Sequence, residues 1–243
     1  MTMAPTPKAL YAAIDQTWRP AAIDRVGAWM VRTGGGGGSR VSAATLTEPA
    51  VVSRGDLAEA EDAMAARGQT PLVMVRDGEE ALDALLADEG YAMSPVVSIL
   101  AAPTAKLAEL APSPMTAILT APRLARLTEI WVEGGLATGR MDVMDRVTVP
   151  KTHIIARHDD RPSGAVFVAV DGEIAMLHAL EIRRDKRRLG LAQAMTARAA
   201  EWAGSQGASF LALQVERTNE AALALYANLG MEEICRYHYR LKT

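Results

Sequence analysis

Apolar and polar residues in the second half of the chain follow alternating strand-like and helix-like periods. The pattern predicts strands at residues 151–157, 164–170, 173–182, 210–215 and 234–241, and helices at 123–133, 140–147, 190–206 and 219–229. An Asp171-Gly172 pair between two of these strands predicts a hairpin turn. A hairpin followed by β-α-β-α-β indicates an α/β protein with a mixed sheet and helices on its faces.

The two halves of the chain end in similar segments. Residues 72–91 and 212–231 each give an apolar run, a polar turn, a short helix and a glycine before another strand-like stretch. At a constant offset of 140 residues, the identical pairs are Val75 and Val215, Glu80 and Glu220, Ala81 and Ala221, Ala84 and Ala224, Leu85 and Leu225, Ala87 and Ala227, and Gly90 and Gly230. The shared glycine suits the position after a helix. We therefore predict a duplication of domain size.

A proline-rich segment separates the two halves. Residues 101–114 contain Pro103, Pro112 and Pro114, and prolines interrupt helices and central strands. A length of 243 residues at 49% apolar composition is compatible with one large domain or two smaller ones. With the repeat, we expect one domain at residues 1–103, a linker at 104–114 and a second domain at 115–243.

Composition excludes several classes of protein. One cysteine, Cys235, cannot form an internal disulfide or a cysteine-based zinc site, so a reducing cytoplasm is expected. No run of about 18 uncharged apolar residues predicts a membrane span, and no apolar signal-peptide region is recognised. A net charge of -3 argues against a generally basic nucleic-acid binder. The four histidines lack metal-ligand spacing with carboxylates, so no metal is expected.

The segment at residues 181–195 combines a strand end, a basic cluster and the start of a helix. Five of the six residues after the strand are basic, and Gly190 opens an Ala-rich helix. The first N–H groups of a helix lack intrahelical partners, and the small Gly190 and Ala192 permit a phosphate to approach them. We therefore predict a phosphate or pyrophosphate ligand, with Arg187 and Arg188 adding charge. The alternative is a solvated basic turn.

Two segments of the chain resemble the motifs of a known family. Arg187-Arg188-Leu189-Gly190-Leu191-Ala192 matches the R/Q-x-x-G-x-G/A signature of the GNAT superfamily of acetyl-CoA-dependent acyltransferases. Residues 218–231 resemble its second motif, N-x-x-A-x-x-L-Y-x-x-x-G-F, with Met231 in place of phenylalanine. The resemblance covers residues 115–243. It implies the GNAT fold, a mixed and mostly antiparallel central sheet flanked by helices, in two tandem copies.

The resemblance also implies a role for individual residues. The pyrophosphate of acetyl-CoA is expected on the N–H groups of residues 188–193, and the pantetheine arm along the preceding strand, which is splayed from the next one. Asn219 is implied to approach pantetheine, although it is also a good helix N-cap. The predicted cofactor-binding residues are Leu180, Glu181, Ile182, Arg187, Arg188, Leu189, Gly190, Leu191, Ala192, Gln193, Asn219 and Tyr226.

The candidate catalytic residues are Tyr226, which the resemblance implies, and His178 and Glu181, which the positions of the residues suggest. Tyr226 corresponds to the residue that protonates the departing thiolate; the alternative is a core tyrosine. The position of the family's commonest glutamate base is Met176, so we consider His178, two residues further on the same strand face. Glu173 and Glu181 are rivals for this role, and a structural histidine is the alternative.

The first half of the chain lacks the features of the cofactor site. The residue 140 positions before Tyr226 is Leu86, which cannot donate a proton, and no R-x-x-G-x-A element precedes its helix. We therefore interpret residues 1–103 as a degenerate GNAT-like copy. The five-glycine run Gly34–Gly38 is not followed by G-K-[ST], so a flexible hairpin turn is expected there rather than a P-loop.

These observations predict an enzyme that transfers an acetyl group from acetyl-CoA to a primary amine of a small molecule or protein. Direct transfer is expected because Cys235 has no surrounding signature of a covalent nucleophile. Residues 131–148 are expected to line the acceptor pocket, with Trp131, Glu133 and Asp142 as candidate contacts. We expect a cytoplasmic monomer or homodimer with no metal, nucleic acid or membrane partner. The alternatives are a non-catalytic acyl-CoA sensor and nucleic-acid binding through residues 183–188.

Overall fold

The computed structural model describes residues 3–110 and 113–243. The elements of the first range are α1 (Pro7–Thr17), β1 (Ala22–Val26), β2 (Trp29–Thr33), a 3₁₀ helix (Ser39–Val41), β3 (Thr45–Leu46), α2 (Arg54–Ala65), β4 (Leu72–Arg76), α3 (Glu80–Asp88), β5 (Tyr91–Met93), β6 (Val97–Pro103) and α4 (Thr104–Ala108). Those of the second are β7 (Ala117–Thr120), α5 (Ala125–Glu133), α6 (Gly139–Arg146), β8 (Lys151–His158), β9 (Arg161–Asp171), β10 (Ile174–Ile182), a 3₁₀ turn (Arg184–Lys186), α7 (Leu191–Ser205), β11 (Phe210–Glu216), α8 (Glu220–Asn228) and β12 (Glu232–Lys242). Each strand and helix predicted in the second half is confirmed, because its hydrophobic period was long enough to identify it.

The two halves contribute strands to one nine-stranded sheet. Its order is β4-β12-β6-β11-β10-β9-β8-β7, with β5 paired to β12, and β1, β2 and β3 form a separate small sheet. Among the described strands of the large sheet, β10 and β11 are the one parallel pair. The predicted mixed and mostly antiparallel sheet with flanking helices is confirmed. No helix in the described ranges has the length and apolar character needed to cross a membrane.

The halves exchange their last strands within this sheet. The late strand β12 lies between β4 and β6, and the early strand β6 lies between β12 and β11. The exchanged strands each come after a helix of the predicted repeat. The offset of 140 residues relates these helices, α3 and α8, residue for residue. Gly90 and Gly230 end these helices with left-handed φ angles of 80° and 73°. The repeat is confirmed for these elements.

The proline-rich segment is more regular than we expected. Residues 101–103 belong to β6, and Pro103 is tolerated because it is the last residue of the strand, where the ladder needs no further N–H. α4 follows directly, and Thr104 Oγ1 donates a hydrogen bond to the carbonyl of Ala208 at 2.8 Å. Pro112 lies outside the described residues. The boundaries at 104 and 114 stay a prediction, and the linker as placed includes a packed helix.

Side chains of the large sheet form a core on each face. On one face, Leu177 and Leu211 pack with α7 and with Tyr226 of α8. On the other face, Met176 packs with Leu10 and Ile14 of α1, and a neighbouring cluster on this side includes Trp18 and residues of α5 and α6. Because alternate residues of a strand point to opposite faces, β10 contributes to both cores.

The five-glycine run contains a turn between the antiparallel strands β2 and β3, as expected, and part of it is closely packed. It leads from β2 to the 3₁₀ helix and lies against α6. A Cβ on Gly37 would overlap the side chain of Val143, and a Cβ on Gly139 would lie 2.5 Å from the carbonyl oxygen of Gly36. The glycines therefore allow the first half of the chain to approach α6 at backbone distance.

Gly139→Ala is expected to destabilise the fold, because its methyl group would press against the backbone of Gly36. Overpacking of this kind costs about 1–3 kcal/mol. Gly204→Ala, near the end of α7, is a matched control, because its methyl group would meet Thr104 at 3.9 Å, and its stability should be equal or slightly higher. Urea unfolding measures both variants. Equal stability of the two would contradict the close packing of the glycine run against α6.

Candidate active site

The site forms where β10 and β11 separate. The two strands pair from Ile174 and Phe210 to Leu177 and Leu213 and no further, although β11 continues to pair with β6. A β-bulge follows in β10, where Ala179 has a left-handed φ of 51° and the register with β9 shifts. Such a bulge bends its strand, so β10 turns away from β11 and a gap opens in the sheet.

Trp131 stabilises the bulge. Its side chain is fully buried, and its Nε1–H donates a hydrogen bond to the carbonyl of Ala179 at 2.6 Å. The prediction that Trp131 contacts the acceptor is therefore wrong, because the indole is enclosed and its one donor is used. Asp142 is exposed in the first turn of α6.

The gap leads into a cleft of about 800 Å³. Eleven of the twelve predicted cofactor-binding residues line it, namely Leu180, Glu181, Ile182, Arg187, Arg188, Gly190, Leu191, Ala192, Gln193, Asn219 and Tyr226. Leu189 is not part of the lining, and its side chain is largely exposed. Lining residues that the motifs did not identify include Leu177, Leu213 and Gln214. Gln214 is notable because both polar atoms of its side chain are buried without a hydrogen-bond partner.

The start of α7 lies at the edge of this cleft. Gly190 precedes the helix with a left-handed φ of 74°, and Arg188 has a φ of 66°. A Cβ on Gly190 would meet nothing within 4 Å, so backbone conformation rather than space favours glycine there. Arg187 forms an ion pair with Glu181 at 3.1 Å, whereas Arg188 has no carboxylate partner in the described ranges. The first N–H groups of α7 therefore face the cleft beside a free cationic group.

Tyr226 and Asn219 enter the cleft from α8. The side chain of Tyr226 is buried, burial raises the pKa of its phenol to about 12, and no described residue hydrogen-bonds its hydroxyl. The phenol thus keeps its proton at physiological pH and has it free to donate. Asn219 Oδ1 accepts a hydrogen bond from the N–H of Ala222 at 3.1 Å, which confirms the N-cap role.

His178 is not part of the cleft lining. Its ring is buried, with Nδ1 at 3.0 Å from Arg40 Nη1 and Nε2 at 3.0 Å from Thr17 Oγ1. Because a guanidinium only donates, Nδ1 accepts and the Nε2–H donates to Thr17, whose hydroxyl donates to the carbonyl of Ala13. Burial and the Arg40 charge hold the pKa of His178 well below its usual value. Both ring nitrogens are occupied, so His178 has no free nitrogen with which to accept the proton of an amine.

Glu181 lies between two cavities. It lines the cleft and also a smaller cavity of about 240 Å³, which is bordered by Ile130, Glu133, Gly134, Arg183, Arg184 and Asp185. Glu173 is exposed at the opposite end of β10 from the bulge, and Met176 is fully buried. Of the residues considered as bases, Glu181 is the one that the structure places at the cleft.

Comparison with known proteins finds a family similar to part of the second half. Residues 124–231 match the sequence model of the Acetyltransferase (GNAT) family. A GCN5-related N-acetyltransferase from Kribbella flavida superposes with a TM-score of 0.73 at 18% identity, over 100% of this chain and 97% of that one. A functionally unknown conserved protein from Staphylococcus epidermidis superposes with a TM-score of 0.70 at 11% identity, over 94% of this chain and 96% of that one. A tandem GNAT protein from the clavulanic acid biosynthesis pathway superposes with a TM-score of 0.63 at 16% identity, over 98% of this chain and 88% of that one. A search of curated proteins finds no match.

The matched segment is similar to the GNAT acetyltransferases, a family whose general chemistry is acyl transfer. Residues 124–231, the segment that matches the family model, contain both motifs and the residues that line the cleft. The matched segment is less than half of the chain, and for the rest the structural likeness shows the fold alone. Members of this family use acetyl-CoA as cosubstrate.

Two buried histidines are expected to make stability depend on pH. Burial, with the nearby Arg123, lowers the pKa of His153 to about 4, and the pKa of His178 is lowered too. The unfolded chain, with histidine pKa values near 6.5, then binds more protons, so stability is lost as pH falls below about 6.5. We expect a loss on the order of 1–2 kcal/mol per histidine between pH 7 and 5.

Urea unfolding at a series of pH values measures this loss. His178→Gln keeps an acceptor for Arg40 and a donor for Thr17 but does not titrate. The variant should therefore lose less stability than the wild type over the same pH range, and carboxylates contribute equally to both proteins. Parallel curves for the two proteins would contradict a neutral buried His178.

Proposed function

We propose that the protein transfers an acetyl group from acetyl-CoA to a primary amine in the cleft between β10 and β11. The observation that supports this most is the opening of the sheet beside the free N-terminus of α7, with the hydroxyl of Tyr226 in the same cleft. Helix N–H groups that could bind a phosphate, a free strand edge and a phenol that could donate a proton thus border one cleft. This combination suits a thioester ligand with a long polar arm and a diphosphate.

The residues present fit such a ligand. A volume of about 800 Å³ is within the range of small-molecule sites. Beyond Leu177, the edge of β10 that β11 leaves offers main-chain N–H and C=O groups, so the amides of a pantetheine arm would pair with Leu180 and Ile182. The diphosphate would lie on the first N–H groups of α7, next to Arg188.

The proposed reaction is a direct transfer. The amine nitrogen forms a bond to the thioester carbonyl carbon, the carbon–sulfur bond breaks, and the sulfur leaves with its electron pair. Tyr226 would give its proton to this thiolate, since burial keeps the phenol protonated. Glu181 is the proposed acceptor of the amine proton, because it borders both the cleft and the smaller cavity.

The position and the raised pKa of Cys235 support a transfer without a covalent enzyme intermediate. The thiol is buried on the α1 face of the sheet and does not line the cleft. Burial also raises its pKa to about 11, and a protonated thiol is a poor nucleophile.

We further propose that residues 1–103 are a GNAT-like domain without a cofactor site. The match of α3 with α8 and the exchange of β6 with β12 support a common origin of the halves. Leu86, at the position of Tyr226, is fully buried and has no acidic proton. The likeness of the whole chain to a tandem GNAT protein agrees with this proposal.

Gly190→Glu is expected to weaken acetyl-CoA binding roughly 100-fold or more, because it places a carboxylate where the diphosphate would lie. Gly190→Ala is the matched control, since it introduces the same strain at a φ of 74° without charge. Calorimetric titration with acetyl-CoA measures both variants. If the glutamate variant binds as tightly as the alanine variant, the start of α7 is not the phosphate site.

Tyr226→Phe is expected to lower kcat about 100-fold or more, since general acid catalysis contributes at least that much, and to leave the Kd for acetyl-CoA unchanged. CoA release with a panel of primary amines measures kcat. Tyr91→Phe is the control, because Tyr91 hydrogen-bonds Glu61 and is not in the cleft lining. Tight acetyl-CoA binding by the wild type without CoA release for any amine would indicate an acyl-CoA sensor instead.

A further inference from the structure

Two arginines, one from each half of the chain, lie beside the glycine run. Arg40 follows the glycine run in the 3₁₀ helix, and Arg140 lies in the first turn of α6. Arg140 extends over the glycine run, since its Nε and Nη2 lie 3.4 Å from where a Cβ on Gly38 would be. Burial and then the charge of Arg40 lower the pKa of Arg140, so the two guanidiniums repel each other.

Neutral side chains hold Arg40 in place. Its Nη1 donates to His178 Nδ1 at 3.0 Å, and its guanidinium carbon lies 5.4 Å from the centre of the Trp18 ring. Its Nε is buried and has no hydrogen-bond partner. The guanidinium is therefore fixed in position while part of its donor capacity is unused.

Neither arginine has an acidic partner. No carboxylate in the described ranges lies within 4.0 Å of either guanidinium, whereas the nearby Arg32 binds both carboxylate oxygens of Asp15 at 2.8 and 2.7 Å. Arg40 is half-buried and Arg140 is exposed, and two like charges close together without a counter-charge are unfavourable. A bound anion would remove this repulsion, and a guanidinium matches the geometry of a carboxylate or phosphate.

The position of the pair separates it from the expected phosphate site of CoA. Arg40 contacts Trp18, which follows α1, and His178, whose ring lies on the α1 side of the sheet. The start of α7 belongs to the opposite face. His178 also directly precedes Ala179, where β10 leaves β11. If the diphosphate lies on the α7 face, the α1 face is the one left for an acceptor, and Arg40 lies on that face, one side chain from the bulge.

We propose that the acceptor amine bears an anionic group, a carboxylate or a phosphate, and that Arg40 and Arg140 bind it. The inference rests on the proposed acyl transfer and defines its substrate class. Glu181 would take up the amine proton, while the two arginines select acceptors of opposite charge to their own. Simple amines without an anionic group would lack this contact.

Matched pairs of acceptors test this proposal. Phenylalanine and phenethylamine differ by a carboxylate, as do β-alanine and ethylamine, and phosphoethanolamine differs from ethanolamine by a phosphate. With the wild type, kcat/KM should be roughly 10- to 100-fold higher for at least one class of anionic acceptor than for its matched amine. The two classes distinguish a carboxylate site from a phosphate site.

Arg140→Gln is the main variant, because its exposed side chain can change without affecting the core. It should raise KM for the preferred anionic acceptor roughly tenfold or more, with little change for the matched amine and none in the Kd for acetyl-CoA. Arg25→Gln is the control, since Arg25 is exposed on β1 and bonds only the carbonyl of Gly27. It should leave both acceptors unaffected.

Three outcomes would overturn the proposal or the function that it depends on. The anion site is overturned if kcat/KM is equal for both members of every pair. It is also overturned if Arg140→Gln raises KM equally for the anionic acceptor and its matched amine. Either result leaves acyl transfer intact. If the protein releases no CoA with any of the amines, the proposed function fails. The arginines are then tested by calorimetric titration of the same anionic compounds in the presence of CoA, where absent binding or unchanged affinity in Arg140→Gln overturns the site.

Discussion

The main-chain hydrogen bonds that β6 and β12 make with strands of the other half hold this protein together. β6 fills the position between β12 and β11, and β12 fills the position between β4 and β6. Each half therefore completes its sheet with a strand from the other. The parallel strand β11 is held by β6 on one side, so it stays in place on the other side where β10 leaves it. The cleft in the second half thus depends on a strand of the first half.

The bulge at Ala179 converts this framework into a site. It is stabilised by the indole of Trp131 and by the buried ring of His178 immediately before it. Polar groups then have different surroundings on the two sides of the gap. On the α7 side, free N–H groups and Arg188 offer positive potential to a diphosphate. On the α1 side, Arg40 and Arg140 offer a second positive region, at which a different anion would bind.

How far the sequence predicts this arrangement depends on the range of the interactions. The strands and helices of the second half follow from local hydrophobic periods, and Gly190 and Tyr226 follow from motifs whose spacing is local. The strand exchange does not, because pairing of Ile99 with Gln214 or Cys235 is decided by contacts distant in sequence. The alternation of side chains along a strand placed His178 on one face of β10, but it did not identify Arg40 and Thr17 as the partners of its ring. The sequence predicted a turn in the glycine run but not its packing against α6, which joins residues about a hundred positions apart.

The exchanged strands also determine the order in which the chain can fold during synthesis. When β4 and β6 have been translated, the strand that belongs between them is still more than a hundred residues further along the chain. The nascent first half therefore presents two unpaired strand edges, and exposed edges of this kind promote aggregation. Pairings between such distant segments also give a high contact order and slow folding. Protection of these edges by a chaperone during translation would matter more for this protein than for a chain whose halves each contain their own last strand.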